Sequence, residues 1–324
     1  MLFSRNTFTL IVLLVAAGFV TPPATAADTL NVVTSVAPIT NIVQNVGGNN
    51  VSVTGIVPDG TDSHTFEPQP TDAKLLSAAD IIIMNGLDLE TPTIHLAEKV
   101  RKKNTPIVEL ATRTIEKKDW MYDFSFPRGK GHPNPHLWPN IAMAMRYAEI
   151  TRDALIALDP AHKDSYSANA TAYLAKLGKL DEAIFTCVKS IPAGQRKLVT
   201  YHDSFAYFAP RYGMTVIGAI QPADFHEPSP REVMRIIDQL KKEKVPAIFG
   251  SEVFPSRVLE QIAREANTTY VDQLADDELP GPAGSSEHTF IGMMKGNMAY
   301  MAAALGGNKD CVTHVDATNI VPAP

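Results

Sequence analysis

Of the nine histidines in this 324-residue chain, three stand where an imidazole could be aimed into a cleft. His64 lies in Asp62-Ser-His-Thr-Phe-Glu67, a loop after an apolar run that ends near Val57. His136 lies in Asn134-Pro-His-Leu-Trp138, just ahead of an amphipathic stretch beginning at Ile141. His202 follows directly on a β-rich run at 197–201, and Asp272 follows directly on another at 268–271. Three imidazoles and a carboxylate suit a four-coordinate divalent metal; nitrogen donors favour zinc, and more oxygen favours manganese. The spacings form no local chelate. Taken singly, a loop histidine serves as a surface residue or hydrogen-bonder as readily as a ligand, and an aspartate after a strand is at home as a helix cap. The chemistry therefore depends on what the fold brings together.

Signatures of the common enzymes are missing: there is no G-x-S-x-G, H-E-x-x-H, P-loop or dinucleotide-binding glycine pattern. A secreted metallohydrolase using the same cluster remains as a rival, with Glu67 or Glu252 as its general base. That reading needs an open coordination position as well. His132 lies four residues before His136, but Pro133 and Pro135 forbid a helix that would align the two. It is a candidate ligand on the approach to the site, or a solvated loop residue. Methionines 293, 294, 298 and 301 recur at helical spacing and read as core.

The elements that must position these residues are legible as alternating strands and helices. Strands are expected at 30–33, 51–57, 81–84 and 106–108, then at 197–201, 215–220, 247–250 and 268–271. Helices fill 39–46, 72–79 and 92–100, then 204–212, 231–242, 257–266 and 290–305. Such alternation with short loops predicts an α/β fold of two lobes, each with a mostly parallel sheet flanked by helices. In an open sheet of this kind ligands bind beyond the carboxyl ends of the strands. By this reading His64, His202 and Asp272 stand there.

Between the halves the pattern lengthens. After a helix at 141–158, Tyr166, Ala170, Tyr173, Leu177, Leu180, Ile184, Cys187 and Ile191 recur at steps of four and three. One uninterrupted helix of that length spans roughly 40 Å. Its place between two α/β units makes it a strut joining the lobes. The divisions expected are a leader at 1–26, an N-terminal lobe at 27–158, the linking helix at 159–191 and a C-terminal lobe at 192–324.

Composition narrows the class further. Lys and Arg number 29 against 35 Asp and Glu, a net charge of −6, so no cationic field is available for nucleic acid. With 45% hydrophobic and 20% charged residues the chain can build a large core. At the N-terminus Arg5 precedes an apolar run from Leu10 to Val20, and Ala24-Thr-Ala26 offers small residues for cleavage. This is the pattern of a secretory signal peptide cut after Ala26. The run is shorter than the ~20 residues that span a bilayer. No cysteine near the cut provides for a lipid anchor. The two cysteines, Cys187 and Cys311, would meet an oxidising compartment and can pair, or Cys187 can stay a buried thiol.

The blocks around Ser63-His64-Thr-Phe-Glu67-Pro68, Pro135-His136-Leu-Trp138 and His202-Asp-Ser-Phe205 resemble a known family. So do Asn85-Gly86, Glu227-Pro-Ser-Pro230 and Met293-Met294-Lys-Gly-Asn297. The family is the zinc/manganese-specific periplasmic binding proteins of ABC importers (TroA-like, cluster A-I). The resemblance covers residues 28–305 in order. It implies two α/β lobes bridged by one long helix and metal ligation by His64, His136, His202 and Asp272. It further implies a periplasmic monomer without enzymatic activity that captures Zn²⁺ and delivers it to an inner-membrane ABC permease. Mn²⁺ or iron is the alternative cargo, and a periplasmic metal chaperone is a further candidate partner. Manganese-selective relatives place a glutamate at the third position, where this chain has His202. Asn134 stands where the family usually has an aspartate before the Pro-His, and the loop at 117–135 lacks the long histidine-rich insertion of many zinc members.

Overall fold

A computed structural model describes residues 29–221, 225–251 and 257–321. The expected signal peptide at 1–26 and Glu252 lie outside these residues. The first half runs β1 (Leu30–Thr34), α1 (Ala37–Gly47), β2 (Val51–Gly55), α2 (Pro70–Ala78), β3 (Ile81–Met84), α3 (Thr91–Val100), β4 (Ile107–Glu109) and a short α4 (Leu110–Thr114). Its four strands are parallel, in the order β2-β1-β3-β4. The Ile-Ile-Ile-Met of β3 is wholly buried, as a parallel strand covered on both faces requires.

Two long helices follow, α5 (Ile141–Leu158) and α6 (Lys163–Ser190). The Asn140 side chain caps α5 by accepting from the Ala142 N–H at 3.2 Å. α6 is the expected unbroken helix of 28 residues, and the seam from Tyr166 through Leu177 to Cys187 is buried along its length. Residues of the second half form β5 (Lys197–Thr200), α7 (Phe208–Tyr212), β6 (Thr215–Ala219), α8 (Pro230–Glu243), β7 (Ala247–Ser251), α9 (Arg257–Ala266), β8 (Thr269–Leu274) and α10 (Phe290–Ala304). They give a second parallel sheet in the order β6-β5-β7-β8. The architecture is thus two four-stranded parallel sheets flanked by helices and bridged by one long helix. Two local differences from expectation matter: the helix expected at 204–212 forms only at Phe208–Tyr212, and β8 runs three residues past 271.

One apolar cluster spans both halves. It takes in Val32 and Ile83 from the first sheet, Leu198 and Phe249 from the second, and the buried faces of α1, α5, α6 and α10 between them. Met293, Met294, Met298 and Met301 belong to it, which confirms their reading as core. Each sheet also has its own outer cluster, around Leu76 and Ala97 in one and around Leu240 and Ile262 in the other. A continuous core leaves no solvated linker about which the halves can swing freely.

The tail beyond α10 is nearly without regular structure yet firmly tied. Cys311 forms a disulfide with Cys187 of α6 across a sequence separation of 124 residues. Further on, Asn319 Oδ1 accepts from Asn45 Nδ2 at 2.9 Å and Asn41 Nδ2 at 3.1 Å, both on α1. The Lys176 ammonium donates to the Thr318 carbonyl at 2.6 Å. The tail therefore fastens the second half to the first and to the strut. A loop this long costs the unfolded chain about 5 kcal/mol of entropy when closed, in the chain-entropy account. Replacing both cysteines by alanine should lower the unfolding free energy by about 2–5 kcal/mol in a denaturant titration. An unchanged midpoint and slope would show that the cross-link does not stabilise the fold.

Candidate metal centre

The three histidines converge although they are far apart in sequence. His64 lies in the loop between β2 and α2, where its backbone N–H donates to Asp62 Oδ1 at 2.9 Å in an Asx turn. His136 sits on the loop leading into α5. His202 follows β5, the strand at which the chain order of the second sheet reverses, and such switch points are where open α/β sheets bind ligands. His136 Nε2 is 3.2 Å from His64 Nε2 and 3.2 Å from His202 Nε2. A tetrahedral zinc with bonds of about 2.0–2.1 Å holds its donors about 3.3 Å apart. His136 already has that spacing from each of the other two imidazoles.

Asp272 is not the fourth member. It is exposed and lies inside β8, which continues to Leu274 rather than ending at 271. The β7–β8 register shifts between Phe249 and Ser251, so the strand carries its chain further before releasing it. The carboxylate that arrives is Asp277, with Oδ1 3.8 Å from His136 Nε2. One ligand atom each from His64, His136, His202 and Asp277 lies within 4.8 Å of the others. Asp276 stands beside them, its Oδ2 3.3 Å from His202 Nε2. The expected strand end at 271 falls three residues short of the observed one, and the paired carboxylates follow the observed end. The usable signal was Leu274-Ala-Asp-Asp277, where apolar strand residues give way to paired carboxylates.

The 275–278 loop is held from three sides. Ala275 N donates to Asn297 Oδ1 at 2.9 Å, and Asn297 Nδ2 donates back to the Ala275 carbonyl at 2.5 Å. The fully buried Trp138 indole donates to the Asp276 carbonyl at 2.9 Å. Ser63, next to His64, donates its hydroxyl to Asp277 Oδ2 at 2.5 Å, a bond from the first half to the second. Asp277 Oδ1 is left buried with no hydrogen-bond partner among the described residues. An unsatisfied buried acceptor costs about 1–3 kcal/mol, and a cation placed among the imidazoles would satisfy it. The donor set fits a divalent metal.

Hydrogen bonding fixes the imidazole of His136. Asn134 Oδ1 accepts from His136 Nδ1 at 2.9 Å and from the His136 backbone N–H at 2.9 Å. With its proton on Nδ1, the ring turns the Nε2 lone pair toward the other histidines. Burial holds His64 and His136 well below the usual histidine pKa, and the neighbouring His202 pushes both the same way. Burial alone would lower His202 too, but Asp276, Asp277, Asp62 and Asp123 outweigh it and raise its pKa. Asp277 is pushed up to about 7, first by burial and then by Asp276. Without metal, then, His64 and His136 are held toward the neutral form, and His202 is the imidazole of the three that keeps a proton most readily.

Aromatic rings wall the outer side. His64 stacks on Phe225 with centroids 4.7 Å apart and planes 4° from parallel, and it tilts against Phe126 at 5.4 Å. A cavity of about 260 Å³ opens from His64 past Phe126 and Phe225 to Asp88 and His132. His132 lies at its rim, 65% exposed and paired with Asp88 Oδ2 at 3.0 Å, so it does not join the cluster. Glu67 is exposed.

Comparison with known proteins agrees with the fold. A family model described as zinc-uptake complex component A, periplasmic, matches residues 32–304. The manganese ABC transporter substrate-binding lipoprotein PsaA of Streptococcus anginosus is 31% identical over 306 residues, covering 92% of this chain and 96% of its own. The manganese-binding lipoprotein MntA of Halalkalibacterium halodurans is 30% identical over 280 residues, or 85% and 88% of the two chains. Among solved structures, the periplasmic zinc-binding protein TroA from Treponema pallidum superposes with a TM-score of 0.77 at 27% identity, covering 86% of this chain and 99% of that one.

The electrostatics make an order of titration measurable. Following the imidazole resonances of metal-free protein by NMR, His202 should keep its proton to a higher pH than either His64 or His136. His64 or His136 titrating above His202 would contradict the charge arrangement described.

Proposed function

Because the chain belongs to the zinc-uptake component A family, whose members are solute-binding proteins of ABC importers and not enzymes, we propose that it captures Zn²⁺ for an inner-membrane permease. The observation that carries this reading is the closure of one nitrogen from each of three imidazoles and one carboxylate oxygen within 4.8 Å. Neutral His64 and His136 present lone pairs at once. A proton held on His202 or on Asp277 leaves as the cation arrives, so protons and zinc compete for the same atoms. Binding therefore weakens as pH falls through about 7, where Asp277 takes its proton. Export to the periplasm through a signal peptide at 1–26 and action as a monomer belong to the same proposal, with a metal chaperone as a further partner. The periplasmic name of the family and the lipoprotein names of relatives support an exported protein.

Zinc is favoured over manganese by the donors. Three imidazoles and one carboxylate make a nitrogen-rich set that suits zinc, whereas manganese prefers carboxylate, carbonyl and water. Relatives named for manganese keep that ion as the alternative cargo. The donor chemistry of this chain supports zinc.

Two expected outcomes follow from the ligand set. Asp277→Asn should weaken zinc at least about tenfold in competition with a chromophoric chelator, since it removes a charged donor, while Asp272→Asn should leave affinity unchanged. Equal losses in both, or a loss only at 272, would move the carboxylate away from Asp277. His202→Glu should narrow the zinc-to-manganese affinity ratio, because exchanging nitrogen for oxygen costs zinc more than manganese. Calorimetry with both ions decides it, and an unchanged or wider ratio would take His202 out of the selecting set.

A further inference from the structure

Asn134 is fully buried, and its side-chain amide uses every hydrogen-bonding position it has. Its Oδ1 accepts twice from His136, at the ring Nδ1 and at the backbone N–H. Its Nδ2 donates to Asp123 Oδ2 at 2.7 Å and to the Asp203 carbonyl. Its own backbone N–H donates to the Met121 carbonyl at 2.9 Å. The amide cannot turn over, since that would set its NH₂ against two donors and its oxygen against two acceptors. Asp123 is itself held by a tight turn. Its N–H donates to the Phe126 carbonyl at 3.0 Å, and its Oδ1 accepts from the Phe126 N–H at 3.1 Å.

A carboxylate that hydrogen-bonds a ligating histidine makes the ring more basic and fixes its orientation. Here no carboxylate touches His136 Nδ1; an amide does, and a carboxylate stands directly behind it. Resting on the reading of His136 as a metal ligand, we infer that Asp123 is the positioning carboxylate of this site, acting on His136 through the Asn134 amide. Polarised by Asp123, the amide oxygen becomes a stronger acceptor for the His136 Nδ1–H, which favours the tautomer with Nε2 free for metal. The arrangement reverses the ordinary expectation for a carboxylate at 134. Aspartate there would bring an oxygen without a proton against Asp123 Oδ2 and the Asp203 carbonyl. Asp203 already lies beside Asp123, so the new group would be a third carboxyl crowded at this point.

The test is a reciprocal exchange measured by zinc competition on the full-length mature protein. Asn134→Asp should weaken zinc by about tenfold or more, in the range found when a partner of a ligating histidine is lost. Asp123→Asn should weaken it by a smaller factor. The double variant Asn134→Asp/Asp123→Asn, which again faces one donor with one acceptor, should bind at least about tenfold more tightly than Asn134→Asp alone, a coupling usual for groups in direct contact. In the metal-free state the His136 Nδ1–H resonance should be present in wild type and in the double variant, and shifted or lost in Asn134→Asp. Unchanged or tighter zinc binding by Asn134→Asp, or a double variant no better than that single one, overturns the inference. His136→Ala is measured alongside. If it leaves zinc affinity unchanged, the ligand reading fails; if it lowers affinity while the exchange does nothing, only the role of Asp123 fails.

Discussion

Imidazole rings whose Nε2 atoms approach to 3.2 Å, as His64, His136 and His202 do, cannot all be protonated. Each positive charge would repel the next across a buried space. The rest of the site depends on how that conflict is resolved. Burial strips protons from His64 and His136, while the carboxylates of Asp276 and Asp277 let His202 keep one. A proton thus serves where a divalent cation would serve better. Two close carboxylates opposite three imidazoles supply about the charge that one such cation neutralises, and the unpaired Asp277 oxygen gives it a place to bind.

Holding such a cluster requires that the two halves of the molecule keep a fixed relation. His64 and His136 come from the first half, and His202 and Asp277 from the second, so a shift of an ångström between the sheets would open the site. Several features oppose that shift. The single apolar cluster runs through both sheets by way of α1, α5, α6 and α10. The Ser63 hydroxyl grips Asp277 directly. The tail, cross-linked to α6 and tied to α1 by Asn319, closes the opposite side. A rigid scaffold makes binding depend on donor chemistry more than on lobe closure, in keeping with discrimination between ions of equal charge.

Much of this was legible in the sequence, and the reasons differ residue by residue. The strands of the first half could be read because parallel strands buried on both faces are unbroken apolar runs, as Ile81–Met84 is. The long helix could be read because its buried seam holds one period from Tyr166 to Ile191. The three histidines stood out through their position after strands or before a helix. Asp272 was misplaced because β8 ends in Tyr-Val-Asp-Gln-Leu, a half-exposed stretch in which a polar residue looks like a strand's end and is not. The use of Asn134 was hidden for another reason: its role depends on Asp123, eleven residues upstream on a loop with no periodicity to read. Long-range pairings of that kind leave no trace in local pattern. The disulfide was left open by sequence for the same reason, since only the packed tail brings Cys311 to Cys187.

The central claim is that one ion is held by residues of both halves at a single point. Crystals of the protein grown with one equivalent of zinc, with diffraction recorded on either side of the zinc absorption edge, test it directly. The account predicts one strong anomalous peak per chain, about 2.0–2.2 Å from the Nε2 atoms of His64, His136 and His202 and from an Asp277 carboxylate oxygen. A peak at Asp272, at the His132–Asp88 rim, or with fewer than three of these imidazoles in contact would contradict it.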